Sequence, residues 1–189
     1  MPFCHVAGKE GCKSIKVANV SDFWRAGGGQ TEIKVLDPNI TACREKRDLM
    51  AQYRDTGVWI DFTQGLDIRC INSADIEDLN GMKIQRLHFA WDDPNDNLEE
   101  KFRAADSQLR VKDHRRRIVY CLTGYENVST EEHIERALHR IYLLRDMNYD
   151  PFVMVYDKPH APKELKQLQR WCNNKIIFGK CKSWGDYLK

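Results

Sequence analysis

The chain has no apolar stretch near the roughly 18–20 residues that a membrane-spanning helix requires. Its opening, Met1-Pro2-Phe3-Cys4-His5, lacks the charged start and apolar core of a secretory signal. Charge of one sign is missing too: 30 Lys and Arg against 28 Asp and Glu leave a formal net charge of +2. Nothing in that balance calls for a membrane or a nucleic acid as partner, and the localisation expected by default is cytoplasmic. The six histidines form no H-x-x-x-H pair and no Cys/His cluster, which argues against zinc. Linkers and low-complexity segments are also lacking, so residues 1–189 read as a single domain.

Cysteine, by contrast, is plentiful. Seven thiols (Cys4, Cys12, Cys43, Cys70, Cys121, Cys172 and Cys181) make an odd set, which in a reducing compartment argues against a disulfide framework. Cys70 and Cys121 end or interrupt apolar runs and read as small buried residues. A ligand role is worth asking only of Cys4, Cys12, Cys172 and Cys181. Hydrophobic residues at 42% suffice for a core, and charged residues at 31% for a solvated surface.

Five short apolar runs recur: Ile33–Leu36, Val58–Phe62, Ile84–Trp91, Ile118–Leu122 and Phe152–Tyr156. Several are continuous rather than alternating, as in strands covered on both faces. Helical patterns separate them. The clearest covers about 130–147, opened by Ser129 and Glu132 as a capping box and striped by Ile134, Ala137, Leu138, Ile141 and Leu144. Others span about 41–55 (ended by Gly57), 72–79, 96–109 and 162–172.

Strands alternating with helices predict an α/β fold with a parallel sheet and right-handed crossovers. Five strands do not close an eight-stranded barrel, which leaves a partial (βα) barrel or an open doubly wound sheet. In both, the working edge lies at the C-terminal ends of the strands. That rule selects Asp37, Pro38 and Asn39; Gln64, Gly65, Asp67 and Arg69; Asp92 and Asp93; Thr123, Gly124 and Tyr125; and Tyr156, Asp157 and Lys158.

Some features invite readings they do not support. Gly27-Gly28-Gly29 precedes a strand instead of following one, so it is a connection and not a phosphate loop. His114-Arg115-Arg116-Arg117 has no wider basic face around it and reads as a solvated loop. Residues 160–189, with Trp171, Phe178, Trp184 and Tyr187, read as a helical, aromatic cap placed to cover an open side of the sheet.

The strand-end segments together resemble a radical S-adenosylmethionine family of bacterial and phage type. The resemblance rests on Ile33-Lys34-Val35-Leu36-Asp37-Pro38-Asn39, Trp59-Ile60-Asp61-Phe62-Thr63-Gln64-Gly65-Leu66-Asp67-Ile68-Arg69, Arg86-Leu87-His88-Phe89-Ala90-Trp91-Asp92 and Tyr120-Cys121-Leu122-Thr123-Gly124-Tyr125. The segments 149–157 and Arg170-Trp171-Cys172-Asn173-Asn174-Lys175 continue it. It implies a partial barrel, a [4Fe–4S] cluster on a CxxxCxxC motif, S-adenosylmethionine, an electron donor, and hydrogen abstraction by a 5′-deoxyadenosyl radical.

Cys4 matches the third cysteine of that motif, while the second would fall at Met1. The resemblance therefore implies an enzyme fragment whose first strand and first two cluster cysteines precede it, with Cys4 as the metal ligand. It also implies cofactor-binding roles: Asp37 or Asn39 for the methionine amino group; Gln64, Asp67 and Arg69 for ribose, carboxylate or substrate; and Asp92 for ribose. Thr123, Gly124, Tyr125 and Tyr156 would lie near adenine. The residues alone leave open a mutual Asp67–Arg69 pair, a non-catalytic nucleotide-binding module without a cluster, and an inactive remnant. The substrate, small or macromolecular, is not legible.

Overall fold

In a computed structural model of the chain, residues 9, 11 and 13–189 are described; Cys4 and Cys12 lie outside them. A 3-10 turn at Val20–Asp22 leads into β1 (Glu32–Val35). Then follow α1 (Lys46–Asp55), β2 (Trp59–Leu66), α2 (Ser73–Asn80), β3 (Lys83–Ala90) and α3 (Glu99–Gln108). The chain continues through β4 (Arg117–Thr123), α4 (Thr130–Asp146), β5 (Asp150–Val155) and three helices, α5 (Lys163–Asn173), α6 (Lys175–Lys180) and α7 (Trp184–Tyr187). The fold is α/β with five parallel strands in the order β1-β2-β3-β4-β5.

Strand order never reverses, so right-handed connections carry every crossover to the same face of the sheet. Burial follows that geometry. Ile60, Phe62, Leu87, Phe89, Val119, Cys121 and Val153 are sealed beneath the helices, whereas Glu32, Lys34, Trp59, Phe152 and Met154 on the opposite face are exposed. The main core joins the strands to Leu49, Met50 and Tyr53 of α1, Ile76 and Leu79 of α2, and Phe102 and Ala105 of α3. A second cluster unites Ala137 and Ile141 of α4 with Val153, Leu168, Trp171, Cys172 and Phe178.

The helix starts follow local chemistry. Asn72 accepts from the Asp75 backbone N–H, and Asp75 returns the bond to the Asn72 N–H, a complete capping box. Ser129 caps α4 by accepting from the Glu132 N–H at 3.1 Å. Glu132, predicted to close a box there, instead turns to Arg136 at 2.5 Å: an ion pair one turn along replaces a bond to a single N–H. The expected helix over 41–55 is interrupted, because Asn39 caps a separate 3-10 turn at Ile40–Ala42 before α1 begins. Gly57, at φ 67°, ends that helix as expected.

Three expectations need correction. Gln64 and Gly65 belong to β2, which runs on to Leu66 across an irregularity: Phe62 pairs with Leu87, and the next pair is Leu66 with Phe89. Gly65, at φ 92°, makes that turn of the backbone. Arg117 is not in a solvated loop. It is wholly buried, with its guanidinium 3.7 Å over the Tyr149 ring and Nη1 2.7 Å from Asp106 Oδ1. The aromatic tail also leaves the open side of the sheet uncovered. Trp171 packs on Phe178, Trp184 and Tyr142, and lies in one cluster with α4 and Val153, so the tail is an extra layer on the helical side.

Candidate functional site

Carbonyls at the C-terminal ends of parallel strands point outward with no further strand to receive them, so the strand-end edge needs donors. Arg140 of α4 supplies them. It is 1% exposed; Nη1 donates to the carbonyls of Trp91 at 2.6 Å and Asp92 at 3.2 Å, and Nη2 to that of Leu122 at 2.8 Å. One guanidinium thus ties the ends of β3 and β4 to the helix between β4 and β5, and its burial pulls its own pKa down.

Beside this tie lies a cavity of about 350 Å³, within the range of about 300–1,000 Å³ typical of small-molecule sites. Asp92 and Asp93 after β3, Thr123, Gly124 and Tyr125 at the end of β4, and His133, Arg136 and Arg140 of α4 line it. Four of the residues selected from the sequence (Asp92, Thr123, Gly124 and Tyr125) therefore meet at one place. Asp92 Oδ1 is buried without a hydrogen-bond partner among the described residues. Burial raises the Asp92 carboxyl above the ordinary carboxylate range, against the opposing pull of Arg140. Gly124 sits at φ 80°, and a Cβ there would come within 3.1 Å of Leu165 Cδ1, so the backbone enters this wall only as glycine.

The rim is held by ion pairs. Glu126 accepts from Asn95 at 3.1 Å and Arg136 at 2.8 Å, and its backbone carbonyl faces His133 Nε2 at 3.0 Å. Tyr125 meets Tyr156 edge to face with ring centroids 5.4 Å apart, so the Tyr156 predicted from the sequence stands at the mouth and not in the lining.

The other selected residues form a neighbouring cluster that is occupied with itself. Arg69 binds both oxygens of Asp67 at 2.9 Å and reaches Asp96 at 2.9 Å. Burial works to raise the Asp67 carboxyl, but the Arg69 bonds together hold it below the usual range. The mutual pair left open by the sequence is the arrangement found. Asn39 Oδ1 accepts from Thr41 Oγ1 at 2.6 Å and the Ala42 N–H at 3.2 Å, while Thr41 Oγ1 accepts from the Asp67 N–H at 3.0 Å. Asp37 and Gln64 are exposed on this edge.

Sequence reasoning missed Arg140 and His133. Both sit on the buried stripe of α4 (His133, Ala137, Arg140, Ile141, Leu144), and a cation at a core-facing position was the available signal. Among the described residues, no three of His, Cys, Asp and Glu are gathered to hold a metal ion. Comparison with models of known families, with curated proteins and with solved structures finds no match to this chain.

Proposed function

We propose that this chain is a radical S-adenosylmethionine-type α/β protein, with its sheet forming part of a (βα) barrel, and that its strand-end cavity binds S-adenosylmethionine. The observation that carries the reading is the convergence, in one cavity, of an unpartnered buried carboxylate oxygen on Asp92 with the Thr123-Gly124-Tyr125 turn. A nucleoside presents ribose hydroxyls that need acceptors and a base that needs a close backbone and an aromatic edge. Asp92 supplies the acceptor, Gly124 the approach and Tyr125 the ring. The unreversed strand order with one helical face also suits a barrel segment better than a doubly wound sheet, which reverses at a switch point.

The iron–sulfur cluster does not fit the described cysteines. Cys121 and Cys172 are fully buried, burial raises both thiols, and among the described residues no three Cys, His, Asp or Glu side chains are gathered as a ligand set. Cys43 and Cys70 are likewise raised, chiefly by burial. The ligand that the resemblance assigns to a cluster is Cys4.

Titration calorimetry with S-adenosylmethionine and with adenosine tests the cavity. Both should bind, and Asp92→Asn should weaken them about tenfold through loss of the charged acceptor. No heat or competition from either compound would overturn the reading. Anaerobic reconstitution with iron and sulfide, with Cys4→Ala as comparison, tests the radical-enzyme assignment. Iron held equally by both chains would remove Cys4 from it.

A further inference from the structure

The helix-free face of the sheet carries a second polar group, separate from the strand-end cavity. Lys34, Asp61 and Arg86 are register neighbours on β1, β2 and β3. The two cations are exposed and pair with no carboxylate among the described residues. Asp61 is only 5% exposed, and its Oδ1 has no hydrogen-bond partner among the described residues. His88, 7% exposed, holds Nδ1 2.9 Å from the Phe62 carbonyl oxygen and 3.5 Å from Asp61 Oδ1.

This geometry assigns the tautomer. A carbonyl only accepts, so Nδ1 carries the proton and Nε2 keeps its lone pair. Tyr120 stacks on the imidazole at 5.5 Å, with its hydroxyl donating to the Thr63 carbonyl at 3.2 Å, which holds the ring plane. An imidazole whose Nδ1–H is oriented by a carbonyl and backed by a carboxylate is the arrangement that prepares Nε2 to accept a proton. Burial lowers the pKa of His88; the Phe62 carbonyl and Asp61 oppose that, and Arg86 reinforces it, so the ring is neutral at pH 7.

We propose that His88, oriented by Asp61 and the Phe62 carbonyl, is a proton-transfer group for a small substrate whose carboxylate or phosphate is held by Lys34 and Arg86. The two unpaired cations beside a buried acid–base pair are the complementarity that selects an oxyanion. In the step, an O–H or N–H proton of the substrate passes to Nε2 and the bonding pair stays on the substrate atom. The imidazolium so formed faces the Asp61 carboxylate, and Arg86 and Lys34 face the anion. The proton later returns to product or solvent. The site goes beyond the cavity reading and does not depend on it.

Nuclear magnetic resonance of the full chain, with its histidine rings labelled and His88 assigned through His88→Gln, provides the test. The rings are titrated with pH in chloride, then with inorganic phosphate or acetate replacing chloride at constant ionic strength. At least one anion should move the His88 signals to saturation and shift its midpoint to higher pH, and the stronger of the two names the oxyanion class. The double variant Lys34→Ala with Arg86→Ala alters only exposed positions and should bind that anion about tenfold more weakly. Asp61→Asn should lower the His88 midpoint in chloride alone. Indifference of His88 to both anions, or an unchanged response in the double variant, would overturn the proposal and leave Lys34 and Arg86 as mere counter-charges to Asp61. Loss of nucleoside binding in the cavity would leave all of these outcomes unaffected.

Discussion

At the scale of single residues, the strand-end edge sets a buried carboxylate against a buried guanidinium. Arg140 spends its donors on backbone carbonyls, so it acts on the Asp92 carboxylate through its charge. Desolvation wins, and the native Asp92 carboxyl titrates above its ordinary value of 3.8. The sign of the linkage follows. The native state holds that proton more tightly than the unfolded chain, so the stabilising contribution is complete below about pH 3.8 and is lost as pH rises through the native midpoint. Asp92→Asn should therefore be more stable than the parent at pH 7, by on the order of 1 kcal/mol or about 2–4 °C in Tm. The advantage should shrink towards pH 4, as thermal melts at both pH values would show. A variant less stable at pH 7 would mean that Arg140 outweighs burial.

At the scale of elements, the two edges of the sheet are treated differently. The outer edge of β5 is closed by side chains of α5: Asn173 Oδ1 accepts from the Val153 N–H at 2.8 Å while its Nδ2 donates to the Val153 carbonyl at 2.9 Å. Gln169 adds a bond to that carbonyl at 3.1 Å. One amide thus takes the place of a neighbouring strand, which keeps other chains from pairing there. Asn173→Ala should cost about 1–2 kcal/mol in urea unfolding and should promote concentration-dependent association, visible by light scattering. Asn173→Asp sets a carboxylate oxygen against the Val153 carbonyl, so a loss at least as large as that of Asn173→Ala is expected.

At the scale of the whole molecule, the sheet has one sealed face and one open face. Consecutive residues of β5 test this directly. Val153 is fully buried against α4 and α5, while Phe152 is 37% exposed on the other side. Val153→Ala should lower stability by about 1–3 kcal/mol through lost burial and the cavity left behind. Phe152→Ser should cost less, about 0.5–1 kcal/mol, through loss of its edge-to-face contact with Tyr120. Comparable urea midpoints for the two would show that the open face is covered in solution.

Much of this layout was legible in the chain itself. The positions of the five strands follow from their apolar runs, although the continuity of those runs pointed to cover on both faces and one face is open, and α4 follows from a 3.6-residue stripe behind Ser129. Strand-end polarity picked out Asp92, Thr123, Gly124 and Tyr125, because in parallel sheets that edge is where backbone groups go unpaired. Tertiary structure decided the rest. Whether Asp67 and Arg69 face a ligand or each other depends on the 3-10 turn that brings them together, and no spacing rule encodes that. Arg117 reads as part of a solvated loop and Arg140 draws no reading at all until their partners appear, since a buried guanidinium is tolerated only where carbonyls, a carboxylate or a ring converge on it from distant segments. Asp61 and His88 lie 27 positions apart and meet only because β2 and β3 pair in this register. Local propensity and periodicity are carried by neighbours in the chain, whereas a polar site is a convergence of side chains that only the packed sheet creates.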